Sequence, residues 1–289
     1  MPGLLLACAF ALPPALGQEL KGTLKKIKDS GAVAIGYREN SLPFSYLNAR
    51  RQPIGYSIDL CLEIVDEAKD ALGLDDVRIE FVPVTPDNRI DRVASGKVDL
   101  ECGSTTSNRE RQQRVAFSPV IFVSGTKLMV RRPVTIRSYL DLKGKTVAVT
   151  SGTTNQAAMK VLSDKRKLGI RFMVAKDHAD SFALVEKGRA DAFATDDVLL
   201  YGLIARSGRA KEFQVVGDFL SYDPYGIMYR KGDPDFDAIV KRTFERLAAS
   251  RELEQMYDQW FLRKLPTGER LGLPMSAQLR EIFGILGLP

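Results

Sequence analysis

A unit that occurs twice restricts the architecture of this chain more than any other feature. SGKVDLECG at residues 95–103 and EKGRADAFATD at residues 186–196 follow one order: a helix end, a glycine turn, an Asp-containing strand and a polar loop. Each unit sits in a run of alternating strand and helix signals, which is the βαβ grammar of a parallel sheet. In the first run, residues 33–37 are β-rich, and a helix starts at Ser57. Its apolar positions Ile58, Cys61, Val65, Ala68 and Leu72 follow the helical period, and Ser57 is the expected N-cap. A strand at 77–82, a short helix at 89–94 and a strand at 98–102 complete the run. The second run has strands at 145–150, 170–175 and 190–195, with helices at 154–167, 181–187 and 197–205.

Between the two runs, residues 120–132 form a long β-rich stretch, and residues 214–229 read as the return. The expected fold is therefore α/β with two lobes, each a mostly parallel sheet flanked by helices, joined by two crossing strands. Lobe one is expected over 18–122 plus 219–262, lobe two over 123–218, and a Pro/Gly-punctuated tail over 263–289. Two crossing strands suit hinge closure around a ligand held in the cleft.

Residues 1–17, MPGLLLACAFALPPALG, carry no charged side chain and are too short to span a bilayer. They read as a signal peptide, possessing a small-x-small site at Ala15-Leu16-Gly17 but no basic start. The mature chain is expected to be exported and soluble. Two cysteines remain after cleavage, Cys61 and Cys102. An oxidising compartment permits a bridge, but the required geometry is not written in the sequence, and buried unpaired thiols are expected.

Composition removes several function classes. The chain has 42 Lys and Arg against 36 Asp and Glu, a net charge of +6, but the charges are dispersed rather than gathered in a stripe. No nucleic-acid partner is expected. A single histidine, His178, argues against a standard zinc site, so no metal and no cofactor are expected. LKGKT at 142–146 imitates the end of a P-loop, but Tyr139 stands where the first glycine is required. No nucleophile elbow and no dinucleotide fingerprint follows a strand.

Hydrogen-bonding side chains instead gather at strand ends, where open α/β sheets bind ligands. GYRENSLPFSY, VTPDNR and ECGSTTSNRER follow strands of the first run; VTSGTT, AKDH and ATDD follow strands of the second. Each loop alone is a polar turn with an N-cap. Six in register across two lobes indicate a site.

These loops, together with NRI, AFSPVIFVSGTKLMV, DLKGKTVAVTSGTT and TDDVLLYG, resemble the periplasmic glutamate/aspartate-binding proteins of ABC-type amino-acid importers. The likeness runs from about residue 24 to 260 and implies the type II periplasmic-binding-protein fold. It implies a receptor that captures L-glutamate or L-aspartate and delivers it to a membrane permease, with no bond made or broken. By the resemblance, Arg111 receives the ligand α-carboxylate, and Ser104, Thr106 and Thr154 give neutral hydrogen bonds to the α-carboxylate and ammonium. Asp196 accepts from the ammonium, and Arg38, Arg89 and His178 surround the side-chain carboxylate. Ligand binding is then expected to charge His178, so that affinity declines as pH rises through neutrality. Two positions depart from the family: Pro86 stands where relatives carry Ser, and Ile227 where some carry Cys. The alternatives are a periplasmic dehydratase of the same fold acting on prephenate-like acids, and a sensory module.

Overall fold

The computed structural model describes residues 20–133 and 135–288; the signal-peptide reading lies outside them. The chain opens with α1 (Gly22–Ser30) and β1 (Ala32–Tyr37), then a small meander of β2 (Asn40–Ser41), β3 (Ser45–Leu47) and β4 (Pro53–Ile54). Next come α2 (Tyr56–Leu72), β5 (Arg78–Pro83), α3 (Arg89–Ala94), β6 (Leu100–Glu101) and β7 (Val115–Phe117). β8 (Phe122–Ser124) leads out of this lobe. The second lobe holds β9 (Thr126–Arg131), β10 (Thr146–Thr150), α4 (Thr154–Arg166), β11 (Arg171–Ala175), α5 (His178–Glu186), β12 (Ala192–Asp196), α6 (Asp197–Arg206) and β13 (Phe213–Val216). β14 (Asp223–Tyr225) leads back to β15 (Met228–Arg230), α7 (Pro234–Ala249), α8 (Glu252–Tyr257) and α9 (Ala277–Leu286).

The sheets run β5-β1-β6-β15-β7 in lobe one and β11-β10-β12-β9-β13 in lobe two. In each, three parallel strands are extended by one antiparallel strand, β15 or β9, and then by a fifth that runs with the first three. The crossing strands β8 and β14 pair with each other, Phe122 opposite Tyr225 and Ser124 opposite Asp223. Both rings sit in the lobe-one core beside Phe44, Tyr257 and Phe261, so the hinge is anchored on that side by aromatic packing. Strand alternation divides the lobe-two core between two sheet faces. Val147, Val149, Ala192 and Ala194 lie in one cluster, and Ala148 and Phe193 in the other. A mostly parallel sheet covered by helices on both faces requires this pattern.

Three expectations change. Cys61 and Cys102 are bridged, with Cα atoms 6.3 Å apart, rather than free. Burial was anticipated; the pairing depends on α2 docking beside β6, a contact between segments 41 residues apart. Ser57 is not the cap of α2. Gly55 precedes the helix, and the Ser57 hydroxyl donates to the Gly103 carbonyl at 2.8 Å, tying the helix start to a cleft loop. The tail is not merely a punctuated extension. It contains α9, whose Leu279 and Phe283 are buried in the lobe-one core, with Ser276 capping the helix through Leu279 N–H.

Candidate functional site

The parallel strands of both lobes end at the cleft, and the loops after them deliver the polar groups. Arg38 follows β1 and is 0% exposed; its backbone N–H donates to Ser45 Oγ at 2.9 Å, which fixes the residue at the strand end. Its Nη2 reaches across the cleft to Asp177 Oδ2 at 3.1 Å. Arg89 opens α3, is 2% exposed, and donates through Nη1 to Thr105 Oγ1 at 2.6 Å and to the Ser104 carbonyl at 3.4 Å. Burial, and then the neighbouring Arg111 charge, push its pKa down to about 9. Arg111 lies in a 3₁₀ turn, donating to the Thr106 carbonyl at 2.9 Å and, across the cleft, to the Gly152 carbonyl at 3.3 Å. Burial lowers its pKa as well. Among the described residues, Arg38 Nε and Nη1, Arg89 Nε and Ser104 Oγ are buried without a hydrogen-bond partner.

Lobe two answers with helix starts. Thr153 caps α4 by accepting from Gln156 N–H, which places Thr154 at the first helical position. Its hydroxyl donates to Asp223 Oδ1 at 2.9 Å and lies 3.3 Å from Thr106 Oγ1, which also donates to Asp223 at 3.1 Å. Asp177 caps α5 by accepting from Ala179 N–H at 3.1 Å, and His178 is the first residue of that helix. His178 is buried. Its Nδ1 pairs with Thr150 Oγ1 at 3.0 Å, and that hydroxyl also pairs with Ser181 Oγ at 2.8 Å. Burial foremost, then the Arg38 charge, push its pKa down to about 3, so the ring is neutral near pH 7. The titration expected near neutrality is displaced by desolvation.

Asp196 ends β12 and is buried. It accepts from Asn155 Nδ2 at 2.8 Å and from the Tyr225 hydroxyl. Burial, then the charge of Asp223, raise its pKa to about 7. Two carboxylates thus share one desolvated region, beside the hydroxyls of Thr106 and Thr154.

Contacts and shared electrostatics link all eight sequence-nominated residues to one interlobe cleft. One end holds Arg38, Arg89 and His178, the other Asp196, Thr106 and Thr154, with Arg111 and Ser104 on the lobe-one loops. Sequence reading passed over Asp223 and Tyr225, both on the return strand, where no strand-end rule applies because β14 enters from the hinge. It also passed over Asp177, Glu101 and Thr105, although each stands inside a quoted motif. Direct lobe-to-lobe bonds close the cleft: Arg38 to Asp177, Arg111 to Gly152, and Ser151 Oγ to Asp87 at 2.9 Å. The geometry favours holding a small zwitterion that brings additional anionic groups to buried guanidinium donors.

The family model of bacterial extracellular solute-binding proteins, family 3, matches residues 33–263. The chain is 42% identical over 280 residues to an L-glutamate/L-aspartate-binding protein of Pseudomonas aeruginosa, covering 96% of this chain and 93% of that one. It is 40% identical to a glutamate/aspartate import solute-binding protein of Salmonella typhimurium over 271 residues, covering 93% of this chain and 88% of the relative. Among solved structures, a mutant arginine-binding protein of T. maritima superposes with a TM-score of 0.72 at 28% identity, covering 82% of this chain and 98% of that one. An ancestral amino-acid-binding protein described as a precursor of cyclohexadienyl dehydratase gives 0.71 at 28% identity, covering 83% and 99%.

Proposed function

The chain belongs to the bacterial extracellular solute-binding proteins, family 3, and on that premise we propose that it captures L-glutamate or L-aspartate and delivers it to the permease of an ABC importer. In this reading it works in the periplasm as a monomer. Among the described residues, lobe one takes 20–122 with 219–262 and the docked α9, lobe two takes 123–218, and the divisions fall close to the paired crossing strands.

The observation that carries the reading is the set of buried donors. Three guanidiniums are nine-tenths or more buried, and only Arg38 has a direct carboxylate partner in the cleft. Buried charge without a partner is costly, and a dicarboxylic amino acid supplies two. Arg111 takes the α-carboxylate, with Ser104, Thr106 and Thr154 adding neutral hydrogen bonds. Asp196 accepts from the ammonium, assisted by Asp223, whose Oδ1 already faces Thr106 and Thr154. Arg38, Arg89 and His178 surround the side-chain carboxylate. A neutral side-chain amide brings no second carboxylate to Arg38 and Arg89, which disfavours glutamine and asparagine. Since the ligand bridges groups from both lobes, its contacts are complete only when the cleft is closed, and binding shifts the population to that state. The Pseudomonas and Salmonella relatives are named as binding proteins, and the second as an import protein, which favours capture over the dehydratase alternative.

Calorimetry tests the ligand class. Glutamate or aspartate should bind at least about tenfold more tightly than glutamine, roughly 1.4 kcal/mol. Arg111→Ala should abolish binding of both, since truncating a buried charge partner costs about 2–5 kcal/mol. Arg89→Ala should mainly relax discrimination against glutamine. Equal wild-type affinity for glutamate and glutamine overturns the reading.

A further inference from the structure

Glu101 is a carboxylate at the centre of a sheet. It ends β6, pairs in register with Gly36 and Met228, and is 0% exposed. A buried carboxylate normally needs a cation or several donors. Here Oε2 accepts from the Thr105 hydroxyl at 2.6 Å, and that hydroxyl accepts from Arg89 Nη1, also at 2.6 Å. Thr105 is therefore oriented as a relay, its proton toward Glu101 and its lone pair toward the guanidinium. Oε1 has no hydrogen-bond partner among the described residues. It lies against Gly103, where the Arg38 side-chain stem also packs, so a side chain at 103 would collide with both.

Arg89 has no carboxylate in direct contact among its hydrogen bonds and ion pairs, only Thr105 and the Ser104 carbonyl. The negative charge of Glu101 favours the charged forms of both Arg89 and Arg111, against their burial. We infer that Glu101, acting through the Thr105 hydroxyl, is the resident counter-charge of Arg89 and thereby sets how strictly the cleft rejects ligands lacking a second carboxylate. This rests on the dicarboxylate reading above. While Glu101 is present, a ligand with a neutral side chain does not leave Arg89 wholly uncompensated. Glu101 therefore softens discrimination against amides and keeps the ligand-free cleft tolerable. It is a positioning residue and does not touch the ligand.

Glutamate and glutamine affinities of wild type, Glu101→Gln, Thr105→Val and Thr105→Ser test this by calorimetry, with folding checked by circular dichroism. Glu101→Gln keeps an acceptor for the Thr105 hydroxyl but removes the charge. Its glutamate-to-glutamine affinity ratio should rise by about tenfold, the scale of one unit charge in a partly screened interior. Thr105→Val, which cuts the relay, should raise the ratio too, and Thr105→Ser, which keeps the hydroxyl, should leave it at the wild-type value. A residue that merely supports the fold would weaken both ligands alike. An unchanged or lower ratio in Glu101→Gln, with wild type still discriminating, overturns the inference and spares the dicarboxylate reading. If Glu101→Gln does not fold, the threonine pair decides, and equal ratios for Val and Ser overturn it. A wild type that does not discriminate removes both.

Discussion

Two strongly displaced titrations in the cleft act on stability with opposite signs, and this gives a test that needs no ligand. His178 is pushed from its usual 6.5 down to about 3, chiefly by burial and next by Arg38. Below pH 6.5 the unfolded chain takes up a proton that the native ring refuses, so stability falls as pH drops from 6.5 toward 3. Asp196 is raised from 3.8 to about 7, again chiefly by burial and next by Asp223. Here the native state takes up the proton first, so stability rises as pH drops from 7 toward 3.8. Integrated from pH 8 to pH 5 with those values, His178 costs and Asp196 returns about 2–3 kcal/mol each.

These two contributions nearly cancel in the wild type and should separate in variants. Asp196→Asn keeps one acceptor oxygen for Asn155 and presents its amide N–H to the Tyr225 hydroxyl, which can turn to accept, and it should lose ~2 kcal/mol of stability between pH 8 and pH 5 relative to its own value at pH 8. His178→Gln should gain a similar amount over the same interval. The assay is urea unfolding at fixed ionic strength on protein freed of ligand by unfolding and refolding, with each curve referred to wild type. Parallel pH profiles for wild type and Asp196→Asn would refute the reasoning. The same signs bear on binding. If the ligand ammonium sits at Asp196 as proposed, it stabilises the charged carboxylate, and glutamate uptake below pH 7 expels a proton there. Affinity should weaken toward pH 5, and Asp196→Asn should flatten that decline while weakening binding overall.

Closure and the disulfide give two further tests. Gly152 has φ +70°, and a Cβ there would sit 2.6 Å from Asp87 Oδ1 and 2.8 Å from the Pro86 backbone carbon, across the lobe boundary. Gly152→Ala should cut glutamate affinity more than about tenfold by holding the lobes apart; unchanged calorimetric affinity would show that this approach is not needed for binding. The Cys61–Cys102 bridge closes a loop across 41 positions, and loop-closure entropy assigns it about 4 kcal/mol. Cys61→Ala/Cys102→Ala should lower the urea midpoint accordingly, and an unmoved midpoint would contradict the assignment.

What the sequence made legible is whatever depends on local period and on the position of a loop relative to its strand. The helical spacing of Ile58, Cys61, Val65 and Ala68 places α2, and the loops after β1, β6, β10 and β12 carry Arg38, Ser104, Thr106, Thr154 and Asp196 to the cleft. What it concealed depends on distance through space. The disulfide is one case, and the neutral, buried state of His178 is another: KDH alone does not show that α5 begins there, with Asp177 capping it and Thr150 bonded to Nδ1. Asp223 is a third, because a return strand has no periodic signature that aims its side chain at a cleft formed some 70 residues earlier by Thr154. Glu101 is the sharpest case. Within ECGSTT it reads as one more alternating strand residue, and only the packed structure, in which it is fully buried, shows that its carboxylate has no route to water. Its charge must then be answered by neighbouring groups, and the nearest hydroxyl, that of Thr105, already holds Arg89. Charge balance in the cleft is therefore a property of the folded sheet, and a motif can list its members without showing which carboxylate answers which guanidinium.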